Sequence, residues 1–303
     1  MINYTKSMCM AGFASQELVP ELPPLRFKDL PFSANANFGP FAVLIAKAYK
    51  NRTSSAIIWN TIDCLEQSIL EQINQQSQVP IFPIGPLHML SPVVSSTSVI
   101  KEDKACISWL DKQPHKSVIY VSSLGSIASL SEKEACETAW GLANSGQRFL
   151  WVIRPGSIQG LDWIELLPEG FHNAVGERGC IVRWAPQKEV LAHRAVGGFW
   201  SHCGWNSTLE SLAEGVPMIC WPCFGDQRVN ARYVSHVWRV GLELEELERG
   251  EIERAIRRLI LDDEGNEMRA RAKEFKDKFE VSAKKGGSSY ESLNELVNFI
   301  MSF

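Results

Sequence analysis

From Ser117 onward, short apolar runs alternate with segments whose apolar residues recur every three or four positions. Residues 117–122 (SVIYVS), 149–153, 180–183, 196–200, 218–221 and 240–244 are short runs rich in apolar residues, which predicts strands. Ser131-Glu132-Lys133-Glu134 has capping-box spacing and opens a helix reaching to about Asn144. Ile252, Ala255, Ile256, Leu259 and Ile260 keep the spacing of one buried helical face. Strands alternating with helices in this way predict an α/β fold with a parallel, doubly wound sheet. Ligands of such sheets bind at the carboxyl ends of the strands.

Upstream the pattern is sparser. Ala56–Asn60 reads as a strand, 62–76 as an amphipathic helix, and Ile81–Ile84 as a strand closed by Gly85-Pro86. Together they are the tail of an α/β layer. Phe38–Tyr49 predicts a helix with Phe41, Ile45 and Ala48 on one face. Pro20, Pro23, Pro24 and Pro31 make Glu17–Ser33 an extended surface segment. Ser91–Thr97 (SPVVSST) has linker composition. The expected organisation is a first unit over 1–90, a linker over 91–103, and a second unit over 104–286. A final helix over 287–303 packs back toward the first unit. Ser288 would cap that helix, and Leu293, Leu296, Val297 and Ile300 would form its apolar stripe. The mixed charges of 264–285 predict a solvated helical face.

Composition narrows the function. A length of 303 residues suits two domains, and 45% hydrophobic with 22% charged residues is an ordinary globular mix. A net charge of −4 argues against a nucleic-acid or anionic-membrane surface. No apolar run approaches the roughly 20 residues of a membrane span. The first sixteen residues lack the pattern of a secretory leader. A cytoplasmic location is therefore expected, with the sequons at Asn3, Asn51 and Asn206 unused. The eight cysteines have no framework spacing, and most are expected as buried thiols. Cys220 and Cys223 form a lone CxxC. Its placement in an apolar strand favours packing over redox or zinc chemistry.

Chemistry concentrates in Trp184–Gln227, WAPQKEVLAHRAVGGFWSHCGWNSTLESLAEGVPMICWPCFGDQ. A strand runs into the corner Ser201-His202-Cys203-Gly204-Trp205-Asn206-Ser207-Thr208, and a helix carrying Glu210 follows. A strand, a Gly-containing turn and a helix start together present backbone N–H groups and a positive dipole end to an anion. His202, Asn206 and Ser207 add donors there, and Glu210 could accept from sugar hydroxyls. A diphosphate with a sugar at each end suits such a site. Trp200 and Trp221 are expected in the core, and His193 as a packing or capping histidine.

This run closely resembles the signature box of plant family 1 UDP-dependent glycosyltransferases. PPLRFKDLPF, AIIWNT, IFPIGPL, SWLDKQ, SVIYV, LGSIAS and FLWVIRPGS extend the resemblance over nearly the whole chain. It implies the GT-B arrangement of two facing Rossmann-like domains, the N-terminal one incomplete here. It also implies inverting transfer of glucose from UDP-glucose to a hydroxyl, or another nucleophile, of a small plant metabolite. Trp184 would stack on uracil, with the Ala185 backbone at its edge and Gln187 close by. Glu210 would hold the ribose. His202, Gly204, Asn206, Ser207 and Ser126 would bind the phosphates, and Trp205, Asp226 and Gln227 the transferred sugar. Gln227 is associated in the family with glucose as the donor sugar. Neither a metal nor another cofactor is implied.

Two departures from the family stand out. Ser122-Ser123 puts one residue more before Gly125-Ser126 than usual, which would shift a strand or bulge the turn. The family's catalytic His and Asp match no residue of this sequence, so no catalytic residue is carried over. The chain is therefore expected to bind UDP-glucose and to transfer glucose slowly or not at all alone. The incomplete first domain would favour association through its exposed face. The alternative from another class is a non-catalytic nucleotide-sugar-binding or regulatory partner of a full-length relative. A nicotinamide-dependent enzyme ranks lower, since no GxGxxG follows an early strand.

Overall fold

The computed structural model describes residues 16–20, 22–31, 54–90, 100–125, 127–159, 163 and 167–303. The helix expected over Phe38–Tyr49 and the linker expected over Ser91–Thr97 lie outside them. In chain order the structure has β1 (Ile57–Trp59), α1 (Asp63–Gln76), β2 (Ile81–Pro83), α2 (Leu87–Leu90) and α3 (Ala105–Leu110). There follow β3 (Val118–Ser122), α4 (Glu132–Asn144), β4 (Arg148–Val152), α5 (Phe171–Val175) and β5 (Gly179–Val182). Next come α6 (Gln187–Leu191), β6 (Val196–Ser201), α7 (Trp205–Ala213), β7 (Met218–Cys220) and α8 (Gln227–Arg232). The chain closes with β8 (Gly241–Glu243), α9 (Arg249–Ile260), α10 (Asp263–Ala283) and α11 (Ser288–Met301).

Two compact units result. One holds the described residues of Met1–Ala34 together with Ser96–Glu274, and the other those of Asn35–Ser95 with Phe275–Phe303. Residues 17–31 thus group with the larger unit, although sequence spacing suggested a single first unit over 1–90. The larger unit is built on a six-stranded sheet in the order β5-β4-β3-β6-β7-β8, parallel at every pairing. Its central strands are buried on both faces, which is why they read as unbroken apolar runs. Burying side chains such as Ile119, Phe199 and Trp200 contributes about 1.5–3 kcal/mol each.

The chain leaves β3 toward β4 and β5 on one side, and returns to β6, β7 and β8 on the other. The carboxyl ends of β3 and β6 therefore frame the topological switch point. Ser122 pairs with Ser201, so the loops after these strands start side by side. The additional Ser leaves this end in register; the one irregularity lies between Val118 and Ile119. The capping box of α4 forms as expected, with Ser131 Oγ accepting from the Glu134 N–H and the Glu134 carboxylate from the Ser131 N–H.

In the smaller unit β1 and β2 pair in parallel, and Phe82, Ile84 and Leu296 form its buried cluster. The stripe on α11 differs from expectation. Leu296 is buried and Phe299 packs against Phe82 with centroids 5.7 Å apart, whereas Val297 and Ile300 are exposed. One aromatic ring covers what two aliphatic residues were expected to fill. Gly287, not Ser288, occupies the N-cap. Ser289 Oγ instead donates to the Gly85 carbonyl at 2.5 Å and anchors the helix start.

Glycines in β6 admit close packing. A Cβ on Gly197 would strike the backbone carbonyl of Lys116, and one on Gly198 would meet Leu259 Cδ2 at 2.5 Å. Backbone cannot retreat as a leucine tip can. Gly197→Ala is expected to lower the unfolding free energy by about 1–3 kcal/mol, and Gly198→Ala by less. Urea denaturation of the two variants checks the order.

Candidate functional site

The candidate site is assembled from four loops at the carboxyl edge of the larger unit's sheet, those after β3, β5, β6 and β7. The loop after β5 brings Trp184, Ala185 and Gln187. Trp184 is half-buried and Ala185 buried, and the Trp184 carbonyl accepts from the Asp103 N–H at 2.8 Å. Gln187 opens α6, with its amide nitrogen donating to Ser207 Oγ at 3.0 Å and to Glu210 Oε2 at 2.7 Å. On its other side Tyr120 O–H lies 3.4 Å from Gln187 Oε1. Tyr120 is itself locked by stacking on Phe199, with centroids 5.1 Å apart. Residues far apart in sequence thus form one polar cluster.

The corner after β6 holds His202–Ser207. Cys203 adopts a left-handed φ of 61°, and its N–H donates to Ser201 Oγ at 3.0 Å. Gly204 occupies the N-cap of α7 without a capping side chain. The first intrahelical bond runs from the Thr208 N–H to the Gly204 carbonyl at 2.9 Å. The amides of residues 205–207 precede it and lie at the positive end of the helix. Asn206 is exposed beside them.

His202 lies between two glycines. A Cβ on Gly125, whose φ is +55°, would approach its ring to 2.6 Å, and one on Gly204 to 2.5 Å. Glycine is needed at both places for the ring to fit. Among the described residues His202 Nδ1 is buried without a hydrogen-bond partner, an arrangement that a bound polar group would satisfy. Ser126, the other phosphate candidate on the β3 loop, lies outside the described residues.

The loop after β7 places Asp226 and Gln227 at the start of α8. Asn230 Nδ2 donates to the Cys203 carbonyl and to Asp226 Oδ2, both at 3.0 Å, which ties α8 to the His202 corner. Gln227 is buried, and its Oε1 accepts from the N–H groups of Cys223 at 2.8 Å and Phe224 at 3.0 Å. Only its NH2 end is left to meet a ligand. Trp205, expected at the sugar, packs against Trp238 with centroids 6.4 Å apart.

Other candidates resolve into structural roles. Trp200 is fully buried. His193 Nδ1 accepts from the Ala195 N–H at 3.1 Å and Nε2 lies 3.2 Å from Asp111. Cys220 is buried in β7 and burial pushes its thiol up; the same cause takes Cys223 to about 11. Among the described residues no group of three or more His, Cys, Asp or Glu is placed to hold a metal. Tyr120 and Asn230 were not singled out from sequence. Tyr120 reads there as one more apolar strand position, and Asn230 carries no motif.

Electrostatics set the protonation of the site. Burial raises the Glu210 pKa, and Gln187 and Lys188 offset this only partly. Burial likewise lowers His202, with Ser122 and Asp226 opposing. The ring is neutral near pH 7.

The chain is similar to known proteins over most of its length. A family model described as "UDP-glucoronosyl and UDP-glucosyl transferase" matches residues 7–277. The flavonol 3-O-glucosyltransferase UGT76E12 of Arabidopsis thaliana is 55% identical over 287 residues, covering 94% of this chain and 62% of that protein. UDP-glycosyltransferase 76H1 of Stevia rebaudiana is 54% identical over 287 residues, covering 95% of this chain and 67% of its own length. Among solved structures, Phytolacca americana UGT2 with UDP-2fluoro-glucose and pterostilbene superposes with a TM-score of 0.80 at 33% identity. That match covers 93% of this chain and 63% of the other. TcCGT1 in complex with UDP gives 0.82 at 33% identity, covering 97% and 67%. The chain thus spans 62% of the length of the first Arabidopsis relative. The likeness extends to the α/β, GT-B class of fold.

Two outcomes are expected. Glu210→Gln keeps an acceptor for Gln187 and removes a desolvated charge, so its melting temperature should match or exceed the parent's. Its affinity for UDP should nevertheless fall about tenfold or more in calorimetry, the loss of a charge-assisted hydrogen bond. The second concerns His202. Burial holds its folded pKa below the ordinary histidine value of 6.5, so the unfolded chain binds that proton more readily. The stability this confers is full above pH 6.5 and is lost as pH falls from there toward the folded value. His202→Gln should flatten the dependence of melting temperature on pH in that window.

Proposed function

Because the chain belongs to the UDP-glucoronosyl and UDP-glucosyl transferase family, we propose that its larger unit binds a UDP-sugar, UDP-glucose foremost, for transfer to a small-molecule acceptor. The observation that carries this reading is the joining of Gln187, Ser207 and Glu210 beside the His202 corner at the switch point of the sheet. A half-buried Trp184 face offers stacking for uracil, with the Ala185 backbone at its edge. Glu210 accepts the ribose hydroxyls, and Gln187 holds its carboxylate in place. The amides at the start of α7, with Gly204, Asn206, Ser207 and His202, receive the diphosphate, and Ser126 completes the set. Trp205, Asp226 and the NH2 end of Gln227 receive the sugar.

The chemistry that follows is displacement at the anomeric carbon. The acceptor oxygen forms the new bond as the bond to the UDP oxygen breaks, with inversion, and the hydroxyl proton is released to solvent. Negative charge then grows on the departing diphosphate, against fixed donors and the positive end of a helix. These donors are preorganised, so the reaction needs little rearrangement of dipoles. His202 is a poor choice as the acceptor's base, because two glycines enclose its ring on the phosphate side. No metal or further cofactor enters this reading. The thiols of the described cysteines are free, which suits a reducing, cytoplasmic setting.

A relative named for flavonols, and a structure holding pterostilbene, support phenolic acceptors as the first to try. Calorimetry with UDP and UDP-glucose is expected to show binding to the full 303-residue chain that Glu210→Ala abolishes. Incubation with UDP-glucose and mixed phenolic and terpenoid alcohols is expected to yield a glucoside above the enzyme-free background. Binding without product would instead favour a nucleotide-sugar-binding protein. Absence of binding would remove the donor-site reading altogether.

A further inference from the structure

Away from the donor cluster, a dense group of buried charge joins residues 24–29 to the sugar end of the site. Arg26 donates through Nη2 to Asp29 Oδ1 at 2.8 Å and to Glu243 Oε2 at 2.5 Å, and through Nε to Asp29 Oδ2 at 2.8 Å. Arg232 Nε donates to the Pro24 carbonyl at 2.9 Å and lies 3.8 Å from Asp29. Arg232 Nη1 lies 3.8 Å from Glu243 and contacts the His236 ring. Ser235 Oγ donates to Glu243 Oε1 at 2.5 Å. Arg26, Asp29 and Arg232 are each less than 9% exposed.

Stability alone is a weak reason for such a network. Desolvating charges offsets most of their mutual attraction, and apolar residues of similar volume often serve as well. Its place in the fold is more informative. Asp226 caps the start of α8 and Gln227 is its first residue, while Arg232 closes its α-helical part, which passes directly into a π-helical turn over Tyr233–Val237. Midway along α8, Asn230 holds both Asp226 and the Cys203 carbonyl. A cavity of about 510 Å³ opens beside this assembly, with Arg26, Lys28, Leu124, Trp221, Cys223 and Arg228 in its lining. Residues 24–29 therefore grip one end of the helix whose other end faces the sugar position.

We propose that residues 24–29 act as a brace on α8, with Arg26, Arg232 and Glu243 as positioning residues that set recognition of the donor's sugar rather than its nucleotide. The inference rests on the donor-site reading given above, in particular on Asp226 and Gln227 meeting the sugar. The nucleotide half is held by Trp184, Gln187 and Glu210, none of which contacts the brace through a hydrogen bond. Loosening the brace lets α8 shift while leaving that half in place.

Dissociation constants of UDP and of UDP-glucose, measured by calorimetry on the full chain, separate the two halves. In Arg26→Gln, UDP affinity is expected to stay within about twofold, while UDP-glucose weakens about five- to tenfold. Glu243→Gln should act in the same direction, and the double variant should lose little beyond either single one. Arg26→Lys keeps the charge without the planar fork and should show a smaller loss of the same selective kind. It also serves if Arg26→Gln fails to fold. An equal loss of UDP and UDP-glucose in the folded variants, or no change in either, overturns the brace. Failure of the parent chain to bind UDP would instead sink the donor-site reading, so the two failures are distinguishable.

Discussion

The parallel pairing of β3 with β6 is the constraint on which the rest of the site depends. Those two strands lie next to each other although the chain leaves one and reaches the other by way of β4 and β5. Their carboxyl ends therefore diverge into loops that no crossover helix covers. Ser122 opposite Ser201 sets where each loop begins. A slip of one residue would turn Tyr120 away from Phe199 and Gln187, and would carry Gly125 off the ring of His202.

Within that frame the candidate site is held in place by groups that gain little for the fold itself. Glu210 is a carboxylate in a partly desolvated place, kept there by the Gln187 amide, and His202 is a neutral ring with a buried, unpartnered nitrogen. Cys203 holds a left-handed backbone angle that a β-carbon disfavours. Each costs stability and each orients a donor or acceptor toward the same crevice. Such concentration of strain and desolvation is what a preorganised polar site requires.

The proposed sugar end is supported differently. There α8 and the π-helical turn over Tyr233–Val237 that continues it form a short helix that depends on its neighbours. Asn230 connects it to the His202 corner, Gln227 Oε1 to the preceding turn, and Arg232 to Pro24. The proposed nucleotide and sugar ends thus rest on different contacts, with Asn230 as the link between α8 and the His202 corner.

Most of the larger unit was legible in the linear pattern. Its strands, the α4 capping box and the buried face of α9 stand where short-range periodicity puts them, because burial of a parallel sheet and the helical repeat act on residues close in sequence. The motif from Trp184 to Gln227 likewise marked Gln187, Ser207 and Glu210 as belonging to one site. Other features answered to partners that no local pattern names. The segment 17–31, expected as exposed from its prolines, buries Val19, Leu25, Arg26 and Asp29 in the larger unit. Arg26 finds Glu243 across a separation of 217 residues. On α11, the ring of Phe82 drew Phe299 inward and left Val297 outside, while at Gln227 two backbone amides claimed the oxygen. Periodicity specifies which face of an element is apolar. Only the folded chain specifies what meets that face, because the deciding contacts join residues whose distance in sequence carries no information about their distance in space.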